Sequence, residues 1–146
     1  MLYPTAGSRL YIADAPAEVP GAFPASGWVE VAEPEALGVL GVEWEAVEVS
    51  DMAIGEVGTL KGVLRRQPMQ IILGDDPADP GQALIWAASR SSLSYPFRLV
   101  LPGGVLTRRW FGLVMAIGEV FDAANSVIRT EVTLQPTSQI TRSEAS

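Results

Sequence analysis

SYPFRLVLPGGVLTRRWFGLVMAIGEVF, residues Ser94 to Phe121, decides the architecture. Pro102, Gly103 and Gly104 break it into two runs, each alternating in character with a period of two. In the first run Tyr95, Phe97, Leu99 and Leu101 share one face, with Pro96, Arg98 and Val100 on the other. In the second, Phe111, Leu113, Met115 and Ile117 oppose Trp110, Val114 and Ala116. Two alternating runs around a glycine turn predict an antiparallel hairpin. A hairpin with one face on a core and one in water needs apolar residues on a single side. This one is apolar on both, so its second face needs a cover of its own.

Further strands are expected outward from that hairpin, at Ser8 to Asp14, Trp28 to Val31, Val42 to Asp51, Gln67 to Gly74 and Val127 to Pro136. In VEWEAVEVSD, Val42, Trp44 and Ala46 share one face while Val47 and Val49 share the other. The apolar positions thus change phase, which a strand with one buried face accommodates only with a bulge near Ala46 or with both faces covered. Residues 50–66 lack a clean period and hold three glycines, Gly55, Gly58 and Gly62, which predicts a long inter-strand loop. Structureless loops of that length are uncommon in compact domains unless they serve a function.

One helix is expected, in DDPADPGQALIWAASRSS. Asp79 fits the N-cap, Pro80 the first helical position, and Gln82 a capping box. Asp75 and Asp76 sit where the helix dipole favours anions. Leu84, Ala87 and Ala88 make an apolar stripe that Ile85 and Trp86 widen, and the end falls near Arg90 to Ser92. The order predicts a mainly β (α+β) antiparallel, sandwich-like domain with one short helix packed on a sheet. It is read as a single domain over 1–146 with a flexible C-terminal arm at 136–146.

Composition excludes several kinds of chemistry. At 146 residues the chain is long enough to bury a sizeable core. It has no cysteine and no histidine, which removes disulfides, thiol nucleophiles and the usual general base. The first residues do not read as a signal peptide, and no run approaches the roughly 20 apolar residues that span a bilayer. A formal charge of −7 argues against ordinary nucleic-acid readers. Lys61 is the only lysine and lies among glycines, a poor setting for a Ser-Lys dyad. Asp75, Asp76 and Asp79 lack the spacing of a calcium loop and are accounted for by the helix start. Glu43 and Glu45 share a strand face, but surface acids on alternating strands are the commoner case. GEVGTLKG lacks phosphate-loop spacing. No catalytic, metal or cofactor-binding residue is assigned, no cofactor is expected, and an enzyme is not supported. Basic pairs at Arg65–Arg66 and Arg108–Arg109 in an acidic chain fit complementary patches between copies.

YPFRLVLPGG (95–104), RRWFGLVMAIGEVF (108–121) and VIRTEVTLQPTSQIT (127–141) together resemble the tail tube (major tail) proteins of long-tailed bacteriophages. They resemble in turn the family's aromatic strand with its glycine turn, its F-x-G-x-V strand with an acidic exit, and its closing strand. The motifs cover roughly the last eighty residues, the first half following in outline. The resemblance implies a barrel-forming tail-tube fold, in which strands of six subunits join into one inner β-barrel with the helix on the outside. Such hexameric rings stack into a hollow tube through which DNA passes as a transient, non-specific passenger. It implies a virion tail assembled in the bacterial host cytoplasm. The partners it implies are further copies of the chain and other tail proteins (tape measure, terminator, tail tip), with no membrane. The inter-ring role would fall to 50–66, with Met52, Ile54, Leu60, Lys61, Leu64, Arg65 and Arg66 as candidates. Glu43, Glu45 and Glu48 are candidates for a lumen that repels phosphate; a neutral lumen is the rival. Arg98, Arg108, Arg109, Trp110 and Val114 are candidates for the subunit interface. Two alternatives stand beside this reading. One is another ring-forming tail or injection-machine component, such as a terminator or hub. The other is a β-sandwich binding module using Trp28, Trp44 and Trp110.

Overall fold

The computed structural model describes all residues except 1–3, 17–22, 52, 54, 105, 122, 125, 126, 145 and 146. The expected hairpin forms from β7 (Tyr95–Val100) and β8 (Leu106–Val120), running in register from Tyr95 opposite Gly112 to Val100 opposite Thr107. Gly103 and Gly104 take φ values of 96° and 73°, open to glycine at little steric cost. β8 is long enough to serve several neighbours. Its first part pairs with β7 on one edge and with β10 (Thr141–Glu144) on the other. Its second part pairs with β9 (Arg129–Pro136), so β9 and β10 follow one another along a single edge.

β1 (Arg9–Ala13), β2 (Trp28–Val31), β3 (Pro34–Ala36) and β6 (Met69–Gly74) complete an antiparallel sheet in the order β2-β1-β7-β8-β9-β6-β3. β2 and β3 lie at opposite ends of that order, yet only Ala32 and Glu33 separate them in the chain. The sheet therefore rolls until its two ends meet, giving a barrel with a seam beside Glu33. There the Gly74 amide donates to the Glu33 carbonyl at 2.8 Å. Leu10, Ile12, Ile71, Leu73, Phe97, Trp110 and Leu134 are buried together inside it. Each such side chain contributes about 1.5–3 kcal/mol by leaving water.

The helix α1 (Pro80–Ser89) packs against β1, β2 and β8, adding Ile85 and Ala88 to the core. Asp79 caps it, its Oδ2 accepting from the Gln82 amide at 2.9 Å. Gln82 does not complete a capping box as expected. Its Oε1 accepts from the Asp76 amide, while Nε2 donates to the carbonyls of Ala32 and Gly74. Asp79 Oδ2 also accepts from the Ala32 amide. The two helix-start residues thus staple the seam of the barrel as well as starting the helix. Gly81 is required there, because a Cβ would lie 2.2 Å from the Glu30 carbonyl oxygen.

Three expectations change. Residues 50–66 are not a loop: β4 (Val42–Asp51) and β5 (Glu56–Arg66) pair as a two-stranded sheet of their own. The segment 136–146 is not wholly a flexible arm, because Thr141–Glu144 ladders onto the β8 edge that β9 leaves free. Ile117 does not share the Phe111 face either. Val114 pairs with Leu134 and Ala116 with Thr133, leaving Met115 as an extra residue that reverses the alternation. Ile117 therefore joins Val114 against the core.

Candidate functional site

Among the described residues, the β4–β5 arm carries seven of the large apolar side chains that the fold leaves exposed. Between the pairs Trp44–Leu64 and Ala46–Lys61, β5 advances by three residues while β4 advances by two. The bulge expected within β4 near Ala46 lies instead on β5, where Gly62 and Val63 oppose Glu45. A Cβ on Gly62 would lie 2.7 Å from a Val47 methyl. β4 itself alternates without a break. One arm face carries Val42, Trp44 and Ala46 beside Leu64, Lys61 and Val57; the other carries Glu43, Glu45, Val47 and Val49 beside Arg65 and Leu60.

Both faces are apolar in part and both are open to solvent. Trp44 is 47% and Leu60 60% exposed, and Val42, Val47, Val49, Val57 and Val63 are exposed as well. Lys61 Nζ stands 5.4 Å from the Trp44 ring, and Arg65 pairs with Glu45. At roughly 3.3 Å per residue the arm reaches about 33 Å. Its base is fixed to the barrel. Arg66 Nε donates to the Ser138 carbonyl and Gln135 Nε2 to the Arg66 carbonyl, both at 2.8 Å. A lone two-stranded hairpin is marginal in water, and contiguous exposed apolar surface marks an interaction site.

Of the inter-ring candidates, Leu60, Lys61, Leu64, Arg65 and Arg66 lie together on β5, with Arg66 turned to the barrel; Met52 and Ile54 lie outside the described residues. The lumen candidates do not share a face: Glu43 and Glu45 are on one side of the arm and Glu48 on the other.

The interface candidates divide. Trp110 and Val114 are core residues, 0% and 7% exposed, because their side of β8 faces into the barrel. Arg98 and Arg109 oppose one another on the outer face. There Arg98 stacks on Tyr11 and Trp28, and Arg109 on Phe23. Phe23 also stacks on Phe111 with ring centroids 4.5 Å apart. The second greasy face of the opening hairpin is thus covered in part by the chain's own aromatics. Arg108 lies at a barrel mouth beside Arg142. Trp28, Trp44 and Trp110 lie on the outer face, the arm and the inner face respectively, so they form no shared binding platform.

At the other mouth, Asp75, Gln82, Trp86, Arg90 and Glu119 line a cavity of about 340 Å³. Thr130 Oγ1 donates to Asp75 at 3.3 Å. A hydrogen bond between the Glu119 and Asp75 carboxyls, with repulsion from Asp75 and slight desolvation adding to it, pushes Glu119 above its ordinary value.

No protein-family model matches the chain and no curated protein matches its sequence. Solved structures do match, and they define the class: a tail-tube-like fold, mostly antiparallel β with one short helix. The chain is similar to the SPP1 tail tube solved by solid-state NMR and cryo-EM, with a TM-score of 0.69 at 13% identity over 98% of this chain and 80% of that one. It is similar to a chain of the PVC sheath/tube terminator of an extracellular contractile injection system (TM-score 0.68, 13% identity, 97% and 96% covered). A third likeness is to the tube-terminating cap of the anti-feeding prophage (TM-score 0.67, 15% identity, 99% and 93% covered). The likeness reaches across the first half of the chain, beyond the motifs of the last eighty residues.

Proposed function

We propose that this chain is a structural, non-enzymatic subunit that assembles with copies of itself into the rings of a tail tube or injection tube. The observation that carries the reading is the β4–β5 arm, anchored at one end and apolar on both faces, on a fold shared with tube structures. Exposed strand edges and apolar faces are an aggregation hazard in a monomer and a joining surface in a closed ring.

In the finer form of the reading, residues 1–146 are one tail-tube-like domain forming stacked hexamers in a bacteriophage tail. DNA passes through without being held, and the tape measure, terminator and tail tip are its partners. Assembly takes place in the bacterial cytoplasm. The acidic excess suits such a lumen, since it repels the phosphate backbone. With Glu43 and Glu45 opposite Glu48, a lumen lined by one arm face takes either the first two or the last. A single terminating ring is the second reading, favoured by likeness to structures of a terminator and a cap.

Negative-stain microscopy across a concentration series tests the proposal. Stacked tubes support the tube subunit, isolated rings the terminator, and a monomer at every concentration overturns both. Deleting Ile54 to Val63 is expected to leave the barrel folded and abolish stacking; normal-length tubes from that variant would remove the arm from assembly.

A further inference from the structure

The barrel mouth nearest the base of the arm holds a cavity of about 310 Å³ with an apolar wall and a cationic rim. Leu37, Leu40, Leu99 and Ile140 line it, and Arg108 and Arg142 stand at its edge. These two arginines are directly opposed across β8 and β10. Like charges in that position destabilise a strand pair. Among the described residues neither has a carboxylate partner, and Arg108 donates only to the neighbouring Thr107 carbonyl. Arg9, Arg65 and Arg129, by contrast, each pair with a glutamate.

The far end of the arm has the opposite arrangement. Asp51 and Glu56 are the last pair of the β4–β5 ladder, two acids directly opposed. The sequence between them, Met52-Ala53-Ile54-Gly55, supplies apolar side chains. An acidic pair with apolar residues at its end complements a basic pair around an apolar cavity in both charge and character.

Resting on the ring reading above, we propose that the arm tip of one copy seats in the β8–β10 mouth of another, its Asp51–Glu56 pair meeting Arg108 and Arg142. The seat must be on a second copy. Leu40 and Ile140 adjoin the base of the arm, where Arg66 bonds to Ser138, and the tip stands about 33 Å from that base. Each like-charge pair, unfavourable within its own chain, is neutralised by the contact. The mouth thereby acquires a chemically defined occupant, an acidic hairpin end with an apolar sequence.

The chain has no cysteine, so two introduced thiols report on this contact alone. Glu56→Cys with Arg142→Cys, treated with a short bismaleimide, is expected to give a ladder of linked copies under denaturing electrophoresis, and either single variant none. In a second arm, Arg108→Glu with Arg142→Glu is expected to weaken assembly about tenfold, and adding Asp51→Arg with Glu56→Arg to restore it. Melting curves confirm that each variant is folded. A parent chain that assembles while giving no ladder and no charge-swap rescue overturns the tip-and-mouth contact and leaves the ring reading standing. A parent that stays monomeric at every concentration overturns both.

Discussion

The barrel and the arm are built from the same kind of strand and solve opposite problems. In the barrel, eleven buried residues spread over β1, β6, β7, β8 and β9 converge on one core, and α1 and the Asp79–Gln82 staple hold the seam. In the arm, seven large apolar side chains face solvent on a sheet only two strands wide. Hydrophobic burial therefore stabilises the barrel within one chain, whereas the arm would gain it only from another. The difference separates folding from assembly along the sequence, and it can be broken by substitution.

The largest effect should come from exchanging the two regions' tryptophans for alanine. Trp110→Ala empties a fully enclosed site, and about 3–5 kcal/mol of unfolding free energy should be lost. Trp44→Ala, at concentrations where the chain is monomeric, should change stability by no more than about 0.5 kcal/mol, and should weaken assembly instead. Denaturant titration measures the first quantity and sedimentation velocity the second. Equal losses of monomer stability at the two sites would erase the distinction between core and arm.

A smaller effect is expected at the seam. Gln82→Leu leaves the carbonyls of Ala32 and Gly74 and the amide of Asp76 without their side-chain partner. The barrel should lose about 1–3 kcal/mol, with the arm's amides unchanged in hydrogen exchange. If exchange quickens at the Val42–Asp51 amides as much as at the seam, arm and barrel are one cooperative unit.

Local chemistry made much of the barrel legible in the sequence. The Pro-Gly-Gly turn, the alternation of β6, β7 and β9, and the Asp79-Pro80 helix start each depend on a few adjacent residues, and they appear where expected. Closure did not show, because the meeting of β2 with β3 is a long-range event expressed in no periodicity. The assignment of Trp110 and Val114 to an interface failed for a related reason. Both faces of β8 are partly covered, so alternation alone could not say which was inner, and the Met115 bulge then reverses it. β5 looked like a loop because Gly55 precedes it and Gly58 and Gly62 punctuate a strand that buries neither face within the chain. The phase change at Ala46 pointed to a bulge in β4 or to two covered faces, but the bulge lies on β5 and β4 keeps its period with both faces open. Two covered faces are what assembly would add.

The smallest effect lies in the acidic cavity, where a protonation equilibrium touches the barrel and leaves the arm alone. Glu119 has its affinity for a proton raised by its hydrogen bond to Asp75, then by that carboxylate's charge, with slight desolvation following. A carboxyl raised on folding stabilises the native state when protonated. The contribution is complete below the unfolded value, near 4.5, and disappears as pH rises through the higher folded value. Because Glu119 is exposed, the slope should be shallow. Melting temperatures taken upward from about pH 4 should show the parent losing a small stabilisation that Glu119→Gln, whose amide still donates to Asp75, retains throughout. The same titration should leave the Trp44–Lys61 contact of the arm unaffected, read from the fluorescence difference between the parent and Trp44→Ala. A Gln variant with the parent's slope would remove the carboxyl pair as its source, and a matching titration of Trp44 would tie the arm to the barrel after all.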